Sequence, residues 1–321
     1  MRIFKYNGGK FSFAKKETTI EKSAAATAVL RKLRSFLDSA EPTLVYFLVR
    51  IWNGESKAIT YKELREAILA GDIPWVVMDA LLEEWRDDYA KFIVNHLQDA
   101  WVEAMRAAVA DMEAEYPEWY FDPFASGVQE WAETRAAEFV TNVTSTQIDG
   151  LRAIIKRAAS LEDMSVDQLA RAIRPMVGLT RQQGVANLNY YNNLIASGMK
   201  EEKAMDLSAR YAARQHRYRG YNIARTELAF AYNKGADAGI RQAQAAGYMG
   251  EVVKVWSTAD DERVCKTCGG LEGKVVAMDE DFDFYTKLAA TNPGIRQTPP
   301  AHPGCRCAVE YREIPKTRRK P

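Results

Sequence analysis

One periodicity dominates this chain. From about Ser23 to Gly247, apolar residues recur at spacings of three and four, the stripe of amphipathic helices, with few breakers between. Thr60-Tyr61-Lys62-Glu63 reads as a capping box, in which a Thr oxygen accepts from the third backbone N–H and a Glu reaches back. Leu64 and Ile68 form the apolar face of that helix, and Gly71 ends it. A longer helix is expected from Pro74 to about Glu115, striped by Leu81, Trp85, Tyr89, Phe92, His96 and Leu97. Tyr116-Pro117 through Phe124 breaks the pattern, and helix resumes from about Gly127 to Ser160. Ser165-Val166-Asp167-Gln168 and Thr180-Arg181-Gln182-Gln183 are two more capping boxes, separated by Gly178, with Gly198 closing the second helix. A last long helix covers Lys200 to about Ala246, with a kink expected near Gly220.

After Gly247 the texture changes. Glu251–Trp256 and Gly273–Val276 are short and β-branched and predict two strands; residues 279–300 predict a loop. The fold class expected is therefore mainly α, with long amphipathic helices and a small α+β cysteine-containing module at the C-terminus. The expected boundaries are a helical N-terminal arm or domain at 1–140, a helical region at 141–250, the β-containing cysteine module at 251–315 and a basic tail at 316–321.

Composition excludes several classes. There are 44 Lys+Arg against 43 Asp+Glu, so a uniformly basic DNA binder is excluded while a local basic patch is not. The greasiest run, Leu44 to Trp52, falls short of the ~20 residues a membrane helix needs. The first residues lack the apolar core of a secretory leader.

All four cysteines of the 321 residues lie at 265, 268, 305 and 307, whereas a disulfide-stapled secreted fold would spread them. Cys265-Lys266-Thr267-Cys268 is a knuckle whose two sulfurs can converge on one tetrahedral ion. Cys305 and Cys307 are two apart, so in an extended segment both point to one face. The expected ligand set is Cys265, Cys268, Cys305 and Cys307, or three of these with His302, and the expected metal is structural zinc. Packing of four reduced cysteines, or a redox pair, is the competing reading.

Catalytic readings fare poorly, and no catalytic residue is assigned. The zinc-deaminase pattern needs His-x-Glu and Pro-Cys-x-x-Cys, but Gly304 follows His302 by two and Val264 precedes the knuckle. His96, within the aromatic stripe, predicts a core or groove histidine, and His216, among arginines, predicts a solvent-facing one.

Arg210, Arg214, Arg217 and Tyr221 follow helical spacing and form a basic stripe with interleaved tyrosines, a possible nucleic-acid contact. Arg225 and Glu227 are two apart and cannot pair with one another on one helix face. They are expected to tie the last long helix to the turn at 260–263, with its Asp261 and Arg263.

The ordered set Ile223-Ala224-Arg225-Thr226-Glu227, Ala231-Tyr232-Asn233-Lys234-Gly235, Trp256, Asp261–Cys268, Leu271-Glu272-Gly273-Lys274 and Pro300–Cys307 resembles the Mu F-like phage head morphogenesis family, minor capsid proteins of tailed bacteriophages. The resemblance covers roughly residues 140–315. It implies a low-copy, non-enzymatic protein in the virion, inside the capsid at the portal vertex, assembled in the host cytoplasm. The implied partners are the portal protein, the major capsid or scaffolding protein, and packaged DNA, with no membrane. The competing classes are a metal-dependent or toxin-like enzyme in residues 200–315 and a plain nucleic-acid-binding module that uses the arginine stripe and the basic tail.

Overall fold

The computed structural model describes residues 3–7, 10–14, 24–161, 164–259, 261–291 and 293–314. The basic tail at 316–321 and Asp260 lie outside the described residues. The chain opens with an antiparallel hairpin, β1 (Ile3–Asn7) and β2 (Lys10–Ala14), in the register Ile3↔Ala14. The helical reading of residues 1–140 does not anticipate it, although a Gly8-Gly9 pair stands between two short aromatic runs.

Helices follow: α1 (Ala24–Ala58), α2 (Tyr61–Ala70), α3 (Trp75–Phe92), α4 (Gln98–Glu115), α5 (Ser126–Ala159), α6 (Val166–Ile173), α7 (Arg181–Ala196) and α8 (Glu201–Ala245). All three capping boxes form, at Thr60/Glu63, Ser165/Gln168 and Thr180/Gln183. The helix expected over Pro74–Glu115 is interrupted by one π-helical turn, Ile93–Leu97. A π turn adds a residue and rotates the stripe by about 100°. Trp101, Met105 and Val109 thereby join the core that α3 enters through Trp85 and Tyr89. His96 lies on this turn, half-buried and stacked on Phe47 with ring centroids 3.5 Å apart.

α8 is 45 residues, about 68 Å at 1.5 Å per residue, and runs unbroken through Gly220. No break marks that glycine. A Cβ there would lie 3.2 Å from Val45 of α1, so the glycine serves helix approach. Gly235 does the same against α4, where a Cβ would meet the Met105 backbone at 2.4 Å.

One continuous core runs from Leu33 to Ala308, and α1 and α4 both pack along α8. Most aromatics of residues 75–124 are inside it: Trp85, Tyr89, Phe92, Trp119 and Phe121 are buried. Trp75, Tyr120 and Phe124 are exposed. Among the described residues, no helix is long and apolar enough to cross a membrane.

The C-terminal module is built from β3 (Val252–Ser257), α9 (Lys266–Leu271), β4 (Val275–Ala277), α10 (Lys287–Thr291) and β5 (Ala308–Glu313). Its sheet is antiparallel in the order β4-β3-β5. β5 was not anticipated from the sequence, and α10 with a 3₁₀ turn, Pro293–Arg296, lies within the expected loop. The acidic stretch Asp279–Phe284 packs by alternation. Phe282 and Phe284 meet Trp256 edge-on at 5.0 and 5.6 Å, while Asp279 reaches out to Arg241 at 2.6 Å.

Candidate metal centre and its clamp on the long helix

Three successive residues of α8 face three different neighbours, as the ~100° step per residue requires. Arg225 holds Glu41 of α1 through two hydrogen bonds of 2.6 and 2.8 Å, and Glu41 is 2% exposed. Glu227 accepts two from Arg135 of α5, at 2.8 and 2.5 Å, both side chains being buried. Thr226, between them, accepts from the Gly304 N–H at 2.9 Å while donating to the Asn222 carbonyl at 2.6 Å.

The expectation for Arg225 and Glu227 thus needs correction. Among the described residues their hydrogen-bond partners lie inside the helical body and not on the turn at 261–263, because α1 and α5 present carboxylate and guanidinium on the flanks of α8. Asp261 pairs instead with Arg306, between the last two cysteines, at 2.6 and 2.7 Å, and accepts from the Arg263 N–H at 3.0 Å. The Arg306 pair holds the Asp261 carboxyl below its ordinary range.

Thr226 and Asn233 bind the C-terminal module to α8, a role the sequence did not single out. The Val309 N–H of β5 donates to Asn233 Oδ1 at 3.3 Å. Gly304 adopts φ +72°, the left-handed region that favours glycine, which turns its N–H toward Thr226.

This loop carries His302, Cys305 and Cys307 to the knuckle. Cys265 caps α9, its Sγ accepting the Cys268 N–H at 3.4 Å. His302 Nδ1 lies 3.0 Å from the Pro303 carbonyl, which only accepts, so Nδ1 carries the proton. Nε2 then presents a lone pair to Cys265 Sγ and Cys268 Sγ, each 3.2 Å away. That carbonyl contact is the outer-shell support typical of a metal-bound imidazole. Cys268 Sγ lies 3.8 Å from Cys305 Sγ.

Two triads result, Cys265/Cys268/His302 and Cys268/Cys305/Cys307, each with ligand atoms within 4.8 Å of one another and sharing Cys268. All four cysteines are free thiols; Cys268, Cys305 and Cys307 are buried and Cys265 is partly so. Burial works to raise the Cys265 thiol, but hydrogen bonds from Cys268 outweigh it and bring the group down. The hydrogen bond shared by the Cys268 and Cys305 sulfurs lowers Cys305 and raises Cys268. Soft sulfurs and one free imidazole lone pair are the donor set of a zinc site.

The basic stripe of α8 is exposed at Arg210, Arg214 and Arg217, beside Tyr218 and Tyr221. Arg210 is paired with Asp206 at 3.0 Å. Further along α8, a cleft of about 330 Å³ is lined by Arg31, Arg34, Arg225, Arg263 and Arg306 with Asp38 and Asp261. His216 does not face solvent as expected. Ala212, His216 and Arg219 fall at i, i+4 and i+7, the core side of the same helix. His216 Nε2 donates to the Val177 carbonyl at 2.9 Å, the ring stacks near Trp52, and burial pushes its pKa down to about 4.

Residues 164–310 match the family described as phage Mu protein F like protein. The matched segment runs from the loop before α6 into β5, so it contains α8, the knuckle and the His302–Cys307 loop. No curated protein and no solved structure matches the chain.

Proposed function

We propose that this Mu F-like chain is a minor protein of a tailed-phage head, held inside the capsid at the portal vertex. Its role there is structural, in procapsid assembly, DNA packaging or genome delivery. The observation that supports this most is the family match over residues 164–310, which takes in α8 and the module clamped to it as far as the start of β5. The portal protein is the chief partner, with the major capsid or scaffolding protein beside it. Tyr120 and Phe124 at the α4–α5 turn, 77% and 63% exposed, are aromatic anchors of the kind protein interfaces favour.

A second contact, with packaged DNA, is favoured by the exposed arginine–tyrosine face of α8. Guanidiniums neutralise phosphates, and aromatic rings offer stacking surfaces.

Quantitative mass spectrometry of purified particles, full and DNA-emptied, tests the reading. The chain is expected at a few copies per full particle, and absence from full heads and procapsids alike would overturn it. Tyr120→Ser/Phe124→Ser is expected to fold normally and to enter procapsids less often. Undiminished incorporation would remove that turn as the docking surface.

A further inference from the structure

We propose that Cys265, Cys268, Cys305 and His302 bind one zinc ion, and that Cys307 stands outside its coordination shell. Five donors lie here in two triads that meet at Cys268, Cys265/Cys268/His302 and Cys268/Cys305/Cys307, whereas a structural zinc takes four in a tetrahedron. Bonds of about 2.3 Å to sulfur and 2.0 Å to nitrogen at the tetrahedral angle set S···S edges near 3.8 Å and S···N edges near 3.5 Å. The Cys268–Cys305 separation of 3.8 Å is such an edge, and the two sulfur–Nε2 separations of 3.2 Å lie a few tenths inside the other.

His302 is prepared for this role in a way a spare histidine is not. Its Nδ1 proton is committed to the Pro303 carbonyl, which leaves Nε2 able only to accept, and two sulfurs face it. Cys305 and Cys307 share the buried cluster of Trp256 and Phe282 and differ in position: Cys305 Sγ sits 3.8 Å from Cys268 Sγ, while Cys307 leads directly into β5. Charge favours the same choice: three thiolates with Zn²⁺ leave one net negative charge beside the buried core, whereas four leave two. Burying charge is costly, so the set containing the neutral imidazole is preferred.

The consequence is mechanical. One ion would join α9, at the start of the module, to the 301–307 loop, which itself hangs on α8 through Gly304 and Thr226. The inference does not rest on a capsid role.

The full-length chain, purified under reductant and reconstituted with zinc alone, is assayed for bound metal by mass spectrometry and for its ligand shell by X-ray absorption. One zinc per chain with three sulfurs and one nitrogen is expected. His302→Ala and Cys305→Ser should lose stoichiometric zinc, while Cys307→Ser keeps it. A shell of four sulfurs, or zinc lost from Cys307→Ser and kept in His302→Ala, would overturn the ligand assignment. Failure of the wild-type chain to take up zinc would overturn the site itself. The wild-type absorption measurement decides the shell even where a variant fails to fold.

Discussion

Glu55 is the residue through which the helical body should register pH. It is 1% exposed on α1 and sits at the end of a buried polar chain. Trp52 Nε1 donates to Tyr89 Oη at 2.7 Å, Tyr89 donates to Gln147 Oε1 at 2.6 Å, and Gln147 Nε2 donates to Glu55 at 2.5 Å. Its other oxygen, Oε1, has no hydrogen-bond partner. Burial pushes the Glu55 carboxyl up to about 8 from an ordinary 4.5, more than the Gln147 bond and the nearby Arg219 charge pull it down.

The sign follows from proton binding. A carboxyl raised in the folded state holds its proton there while the unfolded chain has released it. Its stabilising effect is therefore full below about pH 4.5, falls as pH rises, and is lost above about pH 8. Each pH unit in that window costs about 1.4 kcal/mol, and the loss between pH 5 and pH 8 comes to about 3.5 kcal/mol.

Glu55→Gln removes the titration and keeps an acceptor for Gln147. Its new amide meets the unpartnered side of the site, at a cost of about 1–3 kcal/mol that does not vary with pH. Urea melts at pH 5, 6, 7 and 8 should give curves that converge or cross, the variant gaining about 3.5 kcal/mol on the wild type over that span. His216 is common to both chains and cancels. Parallel curves would refute the argument, because they would mean that Glu55 is ionised in the fold throughout.

Three further expectations follow from particular contacts. Glu227→Ala removes two hydrogen bonds from the buried Arg135 guanidinium and leaves its bond to Glu138 at 3.0 Å, so it should cost about 1.5–3 kcal/mol in urea melts, against less than about 1 kcal/mol for Arg210→Ala at an exposed pair; equal losses would place Glu227 at the surface. Thr226→Val leaves the Gly304 N–H without its acceptor and should cost about 1–3 kcal/mol, with faster zinc release to a chelator after reconstitution; unchanged release would uncouple the loop from α8. Arg214→Glu/Arg217→Glu should weaken binding to duplex DNA and lower the salt slope by about two phosphate contacts, with unaltered melting; an unchanged slope would remove the stripe as a phosphate contact.

The helices were legible because their signals are local. A capping box needs only the residues at Thr60 and Glu63, and the stripe through Trp85 and Tyr89 needs only its own spacing. The π turn at Ile93–Leu97 was not legible, since it answers to packing between α1 and α3–α4, as the His96–Phe47 stack shows. His216 was misjudged because arginines beside it in sequence are not beside it in space: one helical face carries Arg210, Arg214 and Arg217, the other carries Ala212, His216 and Arg219. β5 was missed because its inward residues, Val309 and a buried Glu310, do not alternate cleanly.

The pairing of Arg225 and Glu227 shows why motif spacing alone could not name their partners. Residues two apart on a helix diverge by about 200°, so each needs a separate neighbour, and the sequence holds many acids and arginines at equal claim. Which ones arrive is decided by how α1 and α5 pack along α8, and that is set by close approaches such as Gly220 against Val45. The same packing bears on how the N-terminal residues should be probed. α1 and α4 cover α8 over much of its length, and Leu228, Ala231 and Tyr232 of α8 are buried in the shared core. Deleting residues 1–140 would uncover that face and remove Glu41 from Arg225, so loss of incorporation by such a chain would report unfolding as readily as a missing docking surface. Substitutions confined to exposed positions such as Tyr120 and Phe124 leave that core intact, and they alone separate assembly from folding.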